Sequence, residues 1–113
     1  MLLNSIKYNM DIKKVEDNVE VAAGLLKALS NEKRLTIICA LYKGEKSVGE
    51  LEEIVGLSQS ALSQHLARLR RDGLVDTRRE AQTIYYSMHD ESTKSLLKCL
   101  SEIYCLDQLD SDA

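Results

Sequence analysis

From Ser58 to Arg71 the chain carries three hydroxyls, two amides, an imidazole and three guanidiniums, and not one carboxylate. An exposed helix normally mixes acids with bases, so an acid-free run anticipates a negatively charged partner. Ser60, Ser63 and Gln64 are short enough to reach base edges, whereas Arg68 and Arg71 suit phosphate oxygens or guanine. Ser58, Gln59 and His65 complete the set, and Arg78 and Arg79 follow at the tip of a second polar stretch. The chemistry on offer is recognition. No phosphate loop, Ser/His/Asp set or framed pair of carboxylates is present, and Glu50, Glu52 and Glu53 read as a solvated face, so no enzyme is expected.

These residues need a helix and a strand pair to hold them. Leu62, Leu66 and Leu69 recur at helical spacing and form one apolar stripe, which leaves Ser60, Ser63, Gln64, Ala67, Arg68 and Arg71 opposite. Arg70 and Arg71 complement the negative end of the helix dipole, and Gly73 closes the last turn. Leu74 and Val75 then open an extended run. From Thr83 to Met88, Ile84, Tyr86 and Met88 alternate with Thr83, Tyr85 and Ser87, as in a half-buried strand. The two runs make a hairpin, and because Arg78 to Gln82 contains neither Gly nor Pro, a turn longer than two residues is expected. Tyr85 points outward and shields the sheet.

The rest of the chain supplies support. Residues 1–11 show no period and are expected to form a flexible arm. A first helix runs from Lys13 to about Ser30, with Val15, Val19, Ala22, Leu26 and Leu29 on a stripe widened by Val21 and Leu25. That stripe is broad for a helix that merely caps a small domain, so pairing with a second copy is expected. Asn31 restarts a helix with Leu35, Ile38, Cys39 and Tyr42 on one side. Ser47-Val-Gly-Glu50 is a capping box for a short third helix that ends at Gly56. A short helix, a tight turn and a polar-faced helix constitute a helix-turn-helix. Asp90 caps a last helix to about Leu106 with Leu96, Leu97, Leu100, Ile103 and Tyr104 on its apolar side, and an acidic, disordered tail follows over 107–113. Residues 12–106 thus form one domain for DNA binding and dimerisation. It is mainly α with a β-hairpin wing, a winged helix-turn-helix in the order ααααββα, paired through its first and last helices.

A chain of 113 residues with 44% hydrophobic content and no Phe or Trp supports one thin aliphatic core. The net charge of −3 alone argues against nucleic acid, but its distribution reverses the argument. Between Ser58 and Arg79 five arginines face only Asp72 and Asp76, while the acids gather from Glu80 onward. No leader and no apolar span of membrane length is seen, so a cytoplasmic protein without membrane contact is expected. Three scattered cysteines form neither a disulfide framework nor a zinc ribbon.

Three segments carry a family resemblance: Leu26 to Leu35 (LKALSNEKRL), Leu57 to Leu66 (LSQSALSQHL) and Asp72 to Val75 (DGLV). Over roughly Val21 to Cys105 the chain resembles the ArsR (ArsR/SmtB) winged-helix regulators of bacteria. Ser47 to Leu51 and Arg79 to Tyr86 look most like the HlyU/BigR/SqrR subgroup. The resemblance implies a homodimer on double-stranded DNA, reading an inverted-repeat operator, most simply as a repressor. It also implies a sensor of reactive sulfur or oxidant species, in which Cys39 and Cys105 match the two sensing positions and their bridging lowers operator affinity. A regulator without thiol sensing, acting by displacing another DNA-bound protein, is the alternative. Metal-sensing members place ligands where this chain has Glu50-Leu-Glu-Glu-Ile and, on the last helix, Lys, Ser and Leu, so neither a metal nor another cofactor is expected.

Several of these residues admit a plainer role. Cys39 on the stripe of Leu35 and Tyr42 also reads as a small buried hydrophobe. Cys99 shares a face with Leu96 and Ile103 and reads as core or interface. His65 suits a structural hydrogen bond as well as a phosphate contact, and His89 reads as a solvated turn residue.

Overall fold

A computed structural model of the chain describes residues 12–104; the expected arm, the expected acidic tail and Cys105 lie outside the described residues. The element order is α1 (Ile12–Leu29), α2 (Glu32–Tyr42), β1 (Lys46–Ser47), α3 (Val48–Val55), α4 (Gln59–Arg71), β2 (Val75–Glu80), β3 (Thr83–Met88) and α5 (Glu91–Tyr104). Among the described residues, five helices with an antiparallel hairpin make the expected winged helix-turn-helix. The strand β1 is an addition. It pairs with β3 to give a three-stranded sheet in the order β1-β3-β2.

Local chemistry accounts for the boundaries. Asn31 accepts from the amides of Lys33 and Arg34 at 2.9 and 3.0 Å and starts α2. The capping box at α3 is complete: the Glu50 amide donates to Ser47 Oγ at 3.2 Å, and the Ser47 amide to Glu50 Oε1 at 2.8 Å. At the end of α4 the Leu74 amide reaches the Leu69 carbonyl at 2.9 Å and the Gly73 amide reaches Arg70 at 3.0 Å. This closure places Gly73 at φ 77°, where a Cβ would be strained, and it turns the chain from helix into wing within two residues.

The core confirms the stripe of α4, with Leu62, Leu66 and Leu69 at 1% exposure or less. Burying each contributes roughly 1.5–3 kcal/mol, which sets the roll of the helix. Ile37 and Leu41 are buried on α2 beside the expected Ile38 and Cys39. The reason is tertiary: α2 packs against α1, α3, α4, α5 and β3 and is covered over a wide arc. Two cations at its start tie it to its neighbours. Arg34 Nε donates to the Ala28 carbonyl at 2.6 Å and Lys33 Nζ to the Val55 carbonyl at 3.4 Å, so each sits at the negative end of another helix.

The wing differs from expectation at its tip. Glu80 pairs with Thr83, so the connection is the two-residue loop Ala81-Gln82 and not a longer turn. Ala81 adopts φ 58° to make it, with the φ signs of a type II′ turn, which matches the twist of the strands despite the absence of glycine. Relieving that Cβ by Ala81→Gly is expected to stabilise the domain by roughly 0.5–1 kcal/mol, a rise of about 3–6 °C in Tm. Calorimetry showing a lower Tm would count against a left-handed residue at this position.

Candidate nucleic-acid interface

With Leu62, Leu66 and Leu69 turned inward, Gln59, Ser60, Ser63, Gln64, Ala67, Arg70 and Arg71 are exposed on α4. Ser63, Ala67, Arg70 and Arg71 line a shallow hollow whose other wall is Tyr86 of the wing. The cationic end of α4 thus abuts the wing at Tyr86. In sequence, Arg70 reads as a complement to the helix dipole. Its spacing of seven from Ser63 and three from Ala67 already placed it on this side of the helix.

Not every expected residue joins this surface. The Arg68 side chain is 30% exposed and bonds Asp72 at 2.8 Å, in a groove that also contains Gly24 and Leu25 of α1. Arg71 lies 3.7 Å from Asp72 and remains far more open. Ser58 is exposed, but its Oγ accepts from the Ala61 amide at 3.3 Å and so caps α4. His65 is half-buried. Burial, aided by the nearby Arg34 cation, lowers its pKa below the ordinary imidazole value, so at neutral pH it offers no full charge to a phosphate.

The two wing arginines separate completely. Register pairs Val75 with Met88, Thr77 with Tyr86 and Arg79 with Ile84, and these six residues share the face turned toward α4 and the core. Asp76, Arg78, Glu80, Thr83, Tyr85 and Ser87 occupy the reverse. Arg78 there donates from Nε and Nη2 to the two Glu45 carboxylate oxygens, both at 2.8 Å, and from Nη1 to Glu80 at 3.0 Å. Its guanidinium carbon sits 4.4 Å from the Tyr85 ring centre. Those hydrogen bonds hold Glu45 below the usual carboxylate range and Arg78 above its own. Among the described residues, Arg70 and Arg79 form no ion pair. On the same reverse side His89 Nδ1 meets Asp76 at 2.9 Å, and that bond raises the imidazole pKa. His89 is therefore paired, where sequence left it simply solvated.

The thiols occupy contrasting sites. Cys39 is 8% exposed in the core, and burial pushes its thiol up while the Lys43 ammonium opposes this more weakly. Cys99 is exposed on α5. Among the described residues no three His, Cys, Asp or Glu side chains converge as a metal site, and no helix is long and apolar enough to cross a membrane.

Comparison with known proteins agrees with this geometry. A family model described as "Bacterial regulatory protein, arsR family" matches residues 31–77, from the start of α2 into the wing. The chain is 52% identical to the transcriptional activator HlyU of Vibrio cholerae over 96 residues, 85% of this chain and 89% of that one. It is 39% identical to a biofilm growth-associated repressor of Xylella fastidiosa over 108 residues, 92% of this chain and 95% of that protein. The structure of reduced HlyU from Vibrio cholerae superposes with a TM-score of 0.79 at 53% identity, covering 82% of this chain and 98% of that one. The chain belongs to the arsR family of bacterial regulatory proteins and is a winged-helix transcription regulator.

Proposed function

We propose that the protein is a homodimeric repressor that reads an inverted repeat with two copies of α4 and releases DNA when Cys39 and Cys105 become bridged. The observation that carries the DNA-binding part is the exposed surface of Ser60, Ser63, Gln64, Arg70, Arg71 and Arg79, which has hydrogen-bonding groups and cations but no acid on the helix. The small polar groups lie along the axis of α4 and enter the major groove, where base edges are distinguishable. The arginines at its end and on the wing take the flanking phosphates.

The release step follows thiol chemistry. Cys39 as thiolate attacks a low-molecular-weight persulfide, keeps the outer sulfur as Cys-S-SH and frees the donor thiol. Cys105 then attacks the Cys39 sulfur, expels hydrosulfide and closes the bridge, so the persulfide is the oxidant. The subgroup resemblance supports this pairing. The burial of Cys39 favours a second reading, a regulator without thiol sensing, because a raised thiol pKa lowers the thiolate population that reacts.

Fluorescence anisotropy on an inverted-repeat duplex separates the two. Reduced protein should bind, and persulfide should cut affinity at least about tenfold, a change of about 1.4 kcal/mol. Cys39→Ser and Cys105→Ser should abolish the response, and Cys99→Ser should keep it. A response that survives loss of Cys39 rules out the thiol switch. A promoter fusion reads the sign, since deletion of a repressor raises expression.

A further inference from the structure

We propose that Arg78 is a positioning residue that latches the wing to the α2–β1 loop through Glu45, so that a surface carboxylate of this protein strengthens its grip on DNA. The inference rests on the DNA-binding reading above and assigns different tasks to two adjacent arginines.

Arg78 and Arg79 differ by one residue and therefore point to opposite faces of the hairpin. Arg79 shares the side of Tyr86, which borders the α4 hollow. Arg78 stands on the reverse side, and all three of its guanidinium nitrogens are engaged by carboxylates. The path of the latch is the telling feature. Arg78 is on β2, its cross-strand partner Tyr85 is on the central strand β3, and Tyr85 in turn pairs with Ser47 of β1. Glu45 lies one residue before β1, 33 positions from Arg78 in sequence. The guanidinium thus passes over the Tyr85 ring and clamps the far edge of the sheet, fixing all three strands with one side chain.

The wing needs such a fastening. β1 has two residues, and a two-stranded hairpin is marginal by itself. The position of the hairpin decides whether Arg79 meets a phosphate while α4 is seated. Exposed ion pairs contribute little to global stability, so loss of the latch should be felt in binding and not in melting. A planar bidentate fork stacked on an aromatic ring is also a geometry that lysine cannot reproduce.

The test turns on sign. A merely solvated Glu45 repels the DNA backbone, and its removal should raise affinity; a latching Glu45 predicts the reverse. Binding of an inverted-repeat duplex is measured across a salt series for Glu45→Ala, Glu45→Gln, Arg78→Ala, Arg78→Lys and Glu45→Ala/Arg78→Ala, with hydrogen exchange of the wing amides in the free protein. Each single variant should bind about fivefold to tenfold more weakly, the scale of a modest coupling, and the double variant no more weakly than Arg78→Ala. The salt slope should stay at its wild-type value, while exchange in β2 and β3 accelerates. Glu45→Ala binding as tightly as wild type, or Arg78→Ala lowering the slope by about one unit per lost phosphate, overturns the latch. Unchanged wing exchange in Glu45→Ala overturns it without touching the DNA-binding reading. A wild type that binds no duplex at low salt sinks that reading and the role of the latch together.

Discussion

Arg70→Ala/Arg79→Ala should lower operator affinity by on the order of a thousandfold at moderate salt and flatten its salt dependence by about three to four units of slope. The figure follows from counterion release, because in the proposed dimer two cations on each subunit would account for four phosphate contacts. Both arginines form no ion pair among the described residues, so their charge is available and their loss exposes no partner. Neither substitution touches the buried stripe of α4, and the melting temperature should hold. Ser60→Ala, Ser63→Ala and Gln64→Ala should behave differently. They should erode discrimination between cognate and scrambled duplexes, by about 1–3 kcal/mol for a good base contact, with the salt slope intact. If the arginine pair altered discrimination alone, or the polar residues altered only nonspecific affinity, the division of labour on this face would be wrong.

Val21→Asp/Ile103→Asp should convert a dimer to a monomer at micromolar concentration without unfolding the chain. Val21 is 74% exposed on α1 and Ile103 is 61% exposed on α5, with Val19, Leu26 and Tyr104 also open beside them. α1 meets the rest of the chain mainly near its end, at Leu25, Ala28 and Leu29. A carboxylate at either open site costs at most about 1 kcal/mol in an isolated chain, through helix propensity and dipole, but buried in an interface it is left unpaired, a penalty of several kcal/mol each. Four per dimer exceed what an interface of ordinary size recovers. Operator affinity should then collapse by at least about a hundredfold, since one half-site cannot supply what two recognition helices set about 34 Å apart provide. Circular dichroism should remain that of the wild type. Sedimentation of the variant as an intact dimer would exclude these faces from the interface.

The local code was legible in the residues themselves. Ser47 with Glu50, and Gly73, set helix ends through bonds spanning five residues or fewer, and the 3.6-residue repeat of Leu62, Leu66 and Leu69 set which side of α4 is buried. Alternation likewise puts Tyr86 and Tyr85 on opposite faces of the strand. What remained hidden depended on partners distant in the chain. The Arg68 partner Asp72 is only four residues on, within reach of a sequence reading, but the groove with Gly24 and Leu25 that sets Arg68 apart from the open Arg70 is tertiary. The partner of Arg78 lies 33 residues away, beyond any local pattern. Ala81 accepts a left-handed conformation because strand register on both sides demands a two-residue loop, and register is a property of the sheet. The wide burial of α2, and with it the raised pKa of Cys39, arises from five elements closing around one helix, a sum of long-range contacts that no window of sequence contains.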